Sequence, residues 1–188
     1  MIEAPRLILR SWREADLPAF AALNADTRVM QYLPGLLSRE QSDHLARVIQ
    51  QTISERGFGL WAAELRERSQ FIGFIGLWIP RFEAHFTPCV EIGWRLAREH
   101  WGHGYGTEGA AAALRYGFER LNLAEIVSFT TISNQRSWRV MQRIGMSHSP
   151  ADDFDHPAFP VGHPLRPHLL YRVTRERWKI SSLGTASH

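Results

Sequence analysis

The chain has 188 residues, 44% of them hydrophobic and 22% charged, and a formal net charge of +3 with histidine neutral. That length supports one sizeable core and falls short of two comfortable domains, while the charged fraction lies far from that of a disordered chain. The basic residues are dispersed, which argues against nucleic acid as a partner, and the single cysteine, Cys89, excludes an intramolecular disulfide and with it the framework of a small secreted domain.

Met1 to Arg10 carries Glu3, Arg6 and Arg10, which interrupt the apolar stretch of a secretory signal, so a reducing, cytoplasmic setting is expected. Within it, Pro5–Arg10 alternates around Leu7 and Leu9 as a strand, and Glu14–Asn24 changes to helical spacing through Leu17, Phe20 and Leu23. Ser38, with Gln41 at the capping-box position, opens a helix whose inner stripe is Leu45, Val48, Ile49 and Ile53 and which ends near Gly57. Gly59–Leu65, Gln70–Ile79 and Cys89–Leu96 read as three strands, the first two joined by the polar turn Arg66–Ser69, and such short connections imply antiparallel pairing. Phe71–Pro80, the longest apolar stretch, is about half of the roughly 20 residues a membrane helix requires, so it is expected to be a buried strand and no membrane association is expected.

Thr107–Leu121 is alanine-rich with Leu114, Phe118 and Leu121 as a packing face, and predicts a helix. Glu125–Thr131 follows as a strand, Ser137–Ile144 as a short helix closed by Gly145, and His168–Thr174 as the last strong strand. Between these lies Ser149–Pro167, a loop with five prolines, Asp152, Asp153 and Asp155, and His156 and His163. The expectation is one domain over residues 1–180, α+β or mixed α/β, with residues 181–188 as a flexible tail.

The informative segment is Glu91–Glu108, EIGWRLAREHWGHGYGTE, in which a strand, a turn with three alternating glycines and an alanine-rich helix follow without a gap. A backbone that must aim several N–H groups at one anion needs positive φ and close approach, which glycine allows. The helix that the turn opens adds unpaired amides and a positive dipole end, so a pyrophosphate is the natural ligand. The turn lacks the GK[ST] ending of a P-loop, and it follows three antiparallel strands where a dinucleotide fingerprint opens a βαβ unit.

EIGWRL, HWGHGYGTEGAAAALRYGFE and TTISNQRSWRVMQRIGM together resemble the GCN5-related N-acetyltransferase (GNAT) superfamily, and within it the branch typified by ribosomal-protein N-terminal acetyltransferases. The resemblance covers the chain from PRLILR to the last strand. It implies a central, mostly antiparallel sheet splayed in the middle and flanked by about four helices, with the pantetheine arm of acetyl-CoA in the opening. Trp101, Gly102, His103, Gly104, Tyr105 and Gly106 take the places of the family's pyrophosphate motif, Trp101 standing where Gln or Arg is usual, and Thr107 follows them. It also implies that a backbone amide among Ile92, Gly93, Trp94 and Arg95 polarises the thioester, and that Asn134, with Ser137 beside it, holds the amides of pantetheine.

Direct transfer of an acetyl group to an amine in a ternary complex needs a neutral amine, a polarised carbonyl and a proton for the thiolate. Glu91 is the expected base, directly or through a water, because strand alternation puts it on the side of Gly93; a surface carboxylate is the plainer reading of the same residue. Gly93 marks either a close approach or packing against Trp94, and Asn134 either a cofactor contact or a helix cap. Met141 stands where many relatives place a tyrosine acid, which leaves the acid unassigned, with Ser137 and Tyr105 as possibilities. Glu108 is expected to support the helix N-terminus, Cys89 to be a packing residue, and the dispersed histidines to form no metal site.

The acceptor, a primary amine on a protein N-terminus or a small molecule such as a polyamine or aminoglycoside, is expected to meet Gln31–Leu37 and the 149–167 loop, whose aspartates would attract a cation. The protein is expected to be a monomer or homodimer. The rival reading is a non-catalytic acyl-CoA-binding module.

Overall fold

A computed structural model describes residues 1–184, with side chains to residue 180. Those residues divide into two compact units, Met1–Trp78 with Ile92–Ala113, and Ile79–Glu91 with the chain from Leu114 onward. The architecture is the expected mixed α/β one, with mostly antiparallel pairing and, among the described residues, five α-helices where about four were expected.

In the first unit the elements are β1 (Ile2–Glu3), β2 (Leu7–Arg10), α1 (Leu17–Ala25), α2 (Arg39–Arg56), β3 (Leu60–Leu65), β4 (Gln70–Trp78), β5 (Glu91–Leu96) from its second residue onward, and the start of α3 (Tyr105–Glu119). The strands lie in chain order, β1 through β5. Ser38 caps α2 as its sequence demands: its Oγ accepts from the Gln41 amide at 3.1 Å, and Gln41 Oε1 accepts from the Ser38 amide at 2.8 Å. Gly57, at φ 75°, closes that helix in the left-handed conformation. The turn after Leu65 brings β3 and β4 into an antiparallel hairpin from Leu65 opposite Gln70 to Leu60 opposite Gly76. Just beyond β5, the Ala97 amide donates to the Ile72 carbonyl at 2.9 Å, which sets the end of β5 beside the start of β4.

The two faces of this sheet serve different purposes. On one, α1 and α2 bury Phe20, Leu23, Ala46 and Ile49 against Trp12, Ala62 and Phe74. On the other, α3 comes so close that a Cβ on Gly109 would lie 2.3 Å from Ile75 Cδ1 and 3.3 Å from Leu7 Cδ1. Phe74 and Ile75 are neighbours in β4, and a strand points successive side chains to opposite faces, so α3 and the α1–α2 pair sit on opposite sides.

In the second unit β6 (Glu125–Thr131) runs antiparallel to β9 (Pro167–Thr174) along its whole length, from Glu125 opposite Thr174 to Thr131 opposite His168. Two short strands, β7 (Ser147–His148) and β8 (Phe154–Asp155), also pair with β9, and Glu91 at the start of β5 lies parallel to β6, opposite Val127. The helices are α4 (Gln135–Arg143) and α5 (Arg175–Gly184). The segment expected as loop, residues 149–167, therefore contributes a strand and a 3-10 turn at Pro150–Asp152. Helix α5 was not expected: it carries the chain through residues 181–184 of the anticipated tail, and residues 185–188 lie outside the described residues. Arg175 fastens its start by donating to the Leu123 carbonyl at 2.8 Å, and Trp178 packs on Phe118 at 5.3 Å between ring centroids.

Candidate functional site

The turn between β5 and α3 holds two of its three glycines in the left-handed region. Gly102 and Gly104 sit at φ 80° and 84°, where a side chain is strained, and an added Cβ on Gly104 would meet Arg6 Nη2 at 3.4 Å. Gly106, the third glycine, lies instead inside the first turn of α3, which begins at Tyr105. Gly102, His103 and Gly104 are exposed, and the helix they open presents amides that have no intrahelical partner. Trp101 anchors the turn by donating its indole N–H to the Leu96 carbonyl at 2.8 Å. His100, just before it, has a buried Nε2 with no hydrogen-bond partner among the described residues, and burial holds its pKa below the ordinary value. The nearest carboxylate oxygen to that nitrogen among the described residues is Glu99 Oε1, at 4.0 Å.

Arg6 belongs to this turn and was not singled out from sequence. Its backbone N–H and Nε donate to Glu108 at 2.6 and 2.7 Å, and its guanidinium lies 4.7 Å from the Tyr105 ring centroid, with His103 stacked on the same ring at 5.6 Å. Glu108 thus ties the first turn of α3 to the strand entrance through Arg6, a partner not expected from sequence. The signal for Arg6 in the sequence is only its place just before Leu7 at the start of an alternating strand.

In β5, Ile92 and Leu96 are buried while Gly93, Trp94 and Arg95 are half-buried. Arg95 is bound by its side chain as well as placed by its backbone: Nη1 donates to Asn24 Oδ1 at 2.6 Å, and the guanidinium carbon stands 5.2 Å from the Phe74 ring centroid. Burial lowers its pKa to about 10. Glu91, at the start of the same strand, has its carboxyl pushed up to about 8 by burial.

Beside Glu91 in the second unit, Cys89 is half-buried, and its thiol is pushed up to about 11 by burial, then by Glu91 and Glu125. That is the opposite of what a nucleophilic cysteine needs. Asn134 caps α4: its Oδ1 accepts from the Ser137 amide at 3.4 Å and its Nδ2 donates to Thr130 Oγ1 at 2.9 Å. Both ends of the side-chain amide are engaged, which leaves one N–H of Nδ2 for any other partner. Ser137, the secondary candidate, is half-buried in the first turn of α4. Met141 is buried at 1% exposure, so the position where many relatives carry a tyrosine is here part of the core.

The three aspartates of residues 149–167 are all engaged: Asp152 accepts from Arg172 at 3.0 Å, Asp153 meets His148 at 2.7 Å and Asp155 accepts from Arg166 at 3.0 Å. The same segment supplies Phe154, His156 and Phe159 to an aromatic cluster with Phe82, Phe86, Phe129 and His168. Burial takes the His156 pKa down to about 4, so this cluster is neutral and packs as apolar rings. No group of three or more histidine, cysteine or acidic side chains among the described residues is placed to hold a metal, and no helix among them is long and apolar enough to cross a membrane.

Comparison with known proteins places the chain among acetyltransferases. The sequence model described as Acetyltransferase (GNAT) domain matches residues 6–147. An uncharacterized Bacillus subtilis protein, YkkB, is 34% identical over 145 residues, covering 77% of this chain and 83% of its own. An uncharacterized N-acetyltransferase of the same organism, YnaD, is 29% identical over 178 residues, 94% of this chain and 98% of its own. Among solved structures, a GNAT-family acetyltransferase from Bacillus anthracis superposes with a TM-score of 0.78 at 25% identity, covering 93% of this chain and 98% of that one.

Proposed function

The chain belongs to the GNAT acetyltransferase domain family, and from that premise we propose that it moves an acetyl group from acetyl-CoA to a primary amine by direct attack within a ternary complex. The observation that carries the reading is the exposed turn at Gly102 and Gly104, two left-handed glycines opening α3. The Trp101–Thr107 backbone binds the pyrophosphate of CoA, and Arg6 stiffens that turn through Glu108 and Tyr105; Asn134 is the residue that the resemblance assigns to the pantetheine amides, and one N–H of its side chain is left for such a contact. In the transfer the amine nitrogen forms a bond to the thioester carbon, the carbonyl oxygen takes negative charge opposite a backbone N–H of Ile92–Arg95, and the carbon–sulfur bond breaks to release CoA thiolate. The ammonium proton passes to Glu91, directly or through a water. A carboxyl with a pKa of about 8 is roughly one-tenth ionised at pH 7 and keeps a captured proton, which suits a base working near neutral pH.

The acceptor is an amine of the kind the resembled branch uses, a protein N-terminus, or a small molecule; Asp152, Asp153 and Asp155, being paired, give no support to a cation-collecting loop. Release of CoA thiol from acetyl-CoA across a panel of amines tests the reaction. Tight CoA binding with no thiol release for any amine identifies a non-catalytic acyl-CoA-binding module, the reading that buried Met141 in place of a phenol favours. Gly104→Val, which forces a branched side chain into a left-handed position, should weaken CoA binding by about tenfold or more with the fold retained. Unchanged CoA affinity would remove the turn from the site.

A further inference from the structure

Among the described residues the charge on Arg95 has no counterpart. Arg95 enters no ion pair among the described residues, and its one hydrogen bond goes to a neutral amide oxygen, Asn24 Oδ1, at 2.6 Å. That oxygen is aimed, because Asn24 is fully buried at the end of α1 and its Nδ2 donates at 2.9 Å to Ser42 Oγ, itself fully buried on α2. Phe74 lies under the guanidinium at 5.2 Å. Five N–H donors in a planar fork are thus held by one acceptor and one ring face, in surroundings dry enough to lower the pKa to about 10 from burial alone. At neutral pH the group remains charged. A desolvated cation without a counterion is costly to keep, and an anion arriving at its free edge offsets that cost.

The CoA pyrophosphate is not that anion, because the turn that takes it opens α3, which packs on Ile75 and Leu7, whereas Arg95 shares the opposite face of the sheet with Phe74, Asn24 and Ser42. We infer that Arg95 binds an anionic group of the acceptor, so that the substrate class is a primary amine bearing a carboxylate. The inference rests on the acetyl-transfer reading above. A carboxylate fits better than a phosphate dianion, since the planar fork takes two oxygens side by side and a single guanidinium neutralises a single negative charge.

Matched acceptors decide it. Thiol release is compared for glycine against glycinamide, β-alanine against β-alaninamide and O-phosphoethanolamine against ethanolamine, with spermidine as the cationic arm. With kcat/KM expressed per neutral amine, because a neighbouring carboxylate raises the ammonium pKa, the wild type should favour the carboxylates by at least about tenfold, the worth of one charge-assisted hydrogen bond, and Arg95→Gln should bring each ratio to within about twofold of one. Preference for the amides or spermidine, or for the phosphate alone, overturns the assignment, as does a carboxylate preference that survives in Arg95→Gln. If no amine is turned over, the acetyl-transfer reading fails separately, and a second arm still tests Arg95. With CoA saturating and ionic strength matched, N-acetylglycine should raise the melting temperature of the wild type and N-acetylglycinamide should not, the rise being lost in Arg95→Gln. An equal response to both, including none to either, counts against the site. CoA binding by calorimetry checks that each variant is folded; if Arg95→Gln is not, Arg95→Lys, which keeps the charge and loses the fork, should show a reduced ratio in its place.

Discussion

Arg10 and Arg95 are two arginines of the same unit held under opposite terms. Arg10 is buried with both its neighbours: Nε donates to Glu64 at 2.6 Å, and Nη1 and Nη2 grip Asp16 at 2.7 and 2.9 Å. Its pKa rises, first through the hydrogen bond to Asp16. Arg95 has an amide oxygen and a ring in place of two carboxylates, and its pKa falls. Because β2 places Arg10 beside Glu64 of β3, and Asp16 follows in the next turn of chain, that network closes on itself and leaves nothing for a ligand to satisfy. The contrast teaches how to separate a charge that holds a fold from one kept for a guest: the first is neutralised by the protein, the second is merely oriented by it.

The largest expected effect falls on the closed network. Arg10→Met strands Asp16 and Glu64, at 4% and 6% side-chain exposure, without their main partner, and should cost about 3–5 kcal/mol in urea unfolding. Arg95→Met removes an uncompensated cation while depriving Asn24 Oδ1 of its donor; these oppose one another, and the net change should stay within about 1 kcal/mol. If the two variants lost equal stability, Arg95 would be a structural residue and the contrast would collapse.

Glu64 and Glu91 repeat the contrast in carboxylates, and pH separates them. Glu64 meets two arginines, Arg10 at 2.6 Å and Arg13 at 2.9 Å, whereas burial alone pushes Glu91 up to about 8. Since the folded-state pKa of Glu91 is raised above the unfolded value near 4.5, the native state holds a proton that the unfolded chain has lost between those limits. Stability should therefore fall as pH rises from about 4.5 to about 8, and Glu91→Gln should flatten that part of the slope in urea midpoints measured against pH. Activity should run the other way: if Glu91 takes the ammonium proton, kcat rises with pH through about 8 in the wild type and loses that inflection in Glu91→Gln. A profile identical in both proteins would leave Glu91 as packing.

What could be read from the chain alone follows from how far each feature reaches in sequence. The glycine turn was legible as backbone because its constraint is local: left-handed conformation at Gly102 and Gly104 restricts residue type at those positions, and an alanine-rich helix follows at once. The capping box of Ser38 and Gln41 is local in the same way. Arg95 was legible only as a strand residue, since an arginine on a strand face looks the same whether it meets water or is shut against Asn24 and Phe74, and those partners come from distant parts of the chain. Asn134 was identified as a residue that matters, with the cap and the cofactor contact both open; its bonds to Ser137 and Thr130 make the cap, and one N–H remains for the other. The two-residue strands β7 and β8 carry no period to detect, and the pairing that engages Asp152, Asp153 and Asp155 depends on the partners their fold brings to them.

The smallest expected effect sharpens the contrast most. Ser42 touches neither Arg95 nor any acceptor; it receives the Asn24 Nδ2 hydrogen at 2.9 Å and so decides which way the amide faces. Removing the hydroxyl in Ser42→Ala lets the amide turn its nitrogen toward the guanidinium, where donor would face donor. If Arg95 is only a packed cation, the variant loses about 1 kcal/mol of stability and nothing else. If Arg95 is oriented for a carboxylate, KM for the acidic acceptor should rise about two- to fivefold with kcat and the KM for acetyl-CoA held, and Ser42→Thr, which restores the hydroxyl, should recover it. A change confined to stability would place Ser42 with Arg10 among the groups that serve the fold, whereas a change confined to acceptor KM would make it a positioning residue acting through Asn24.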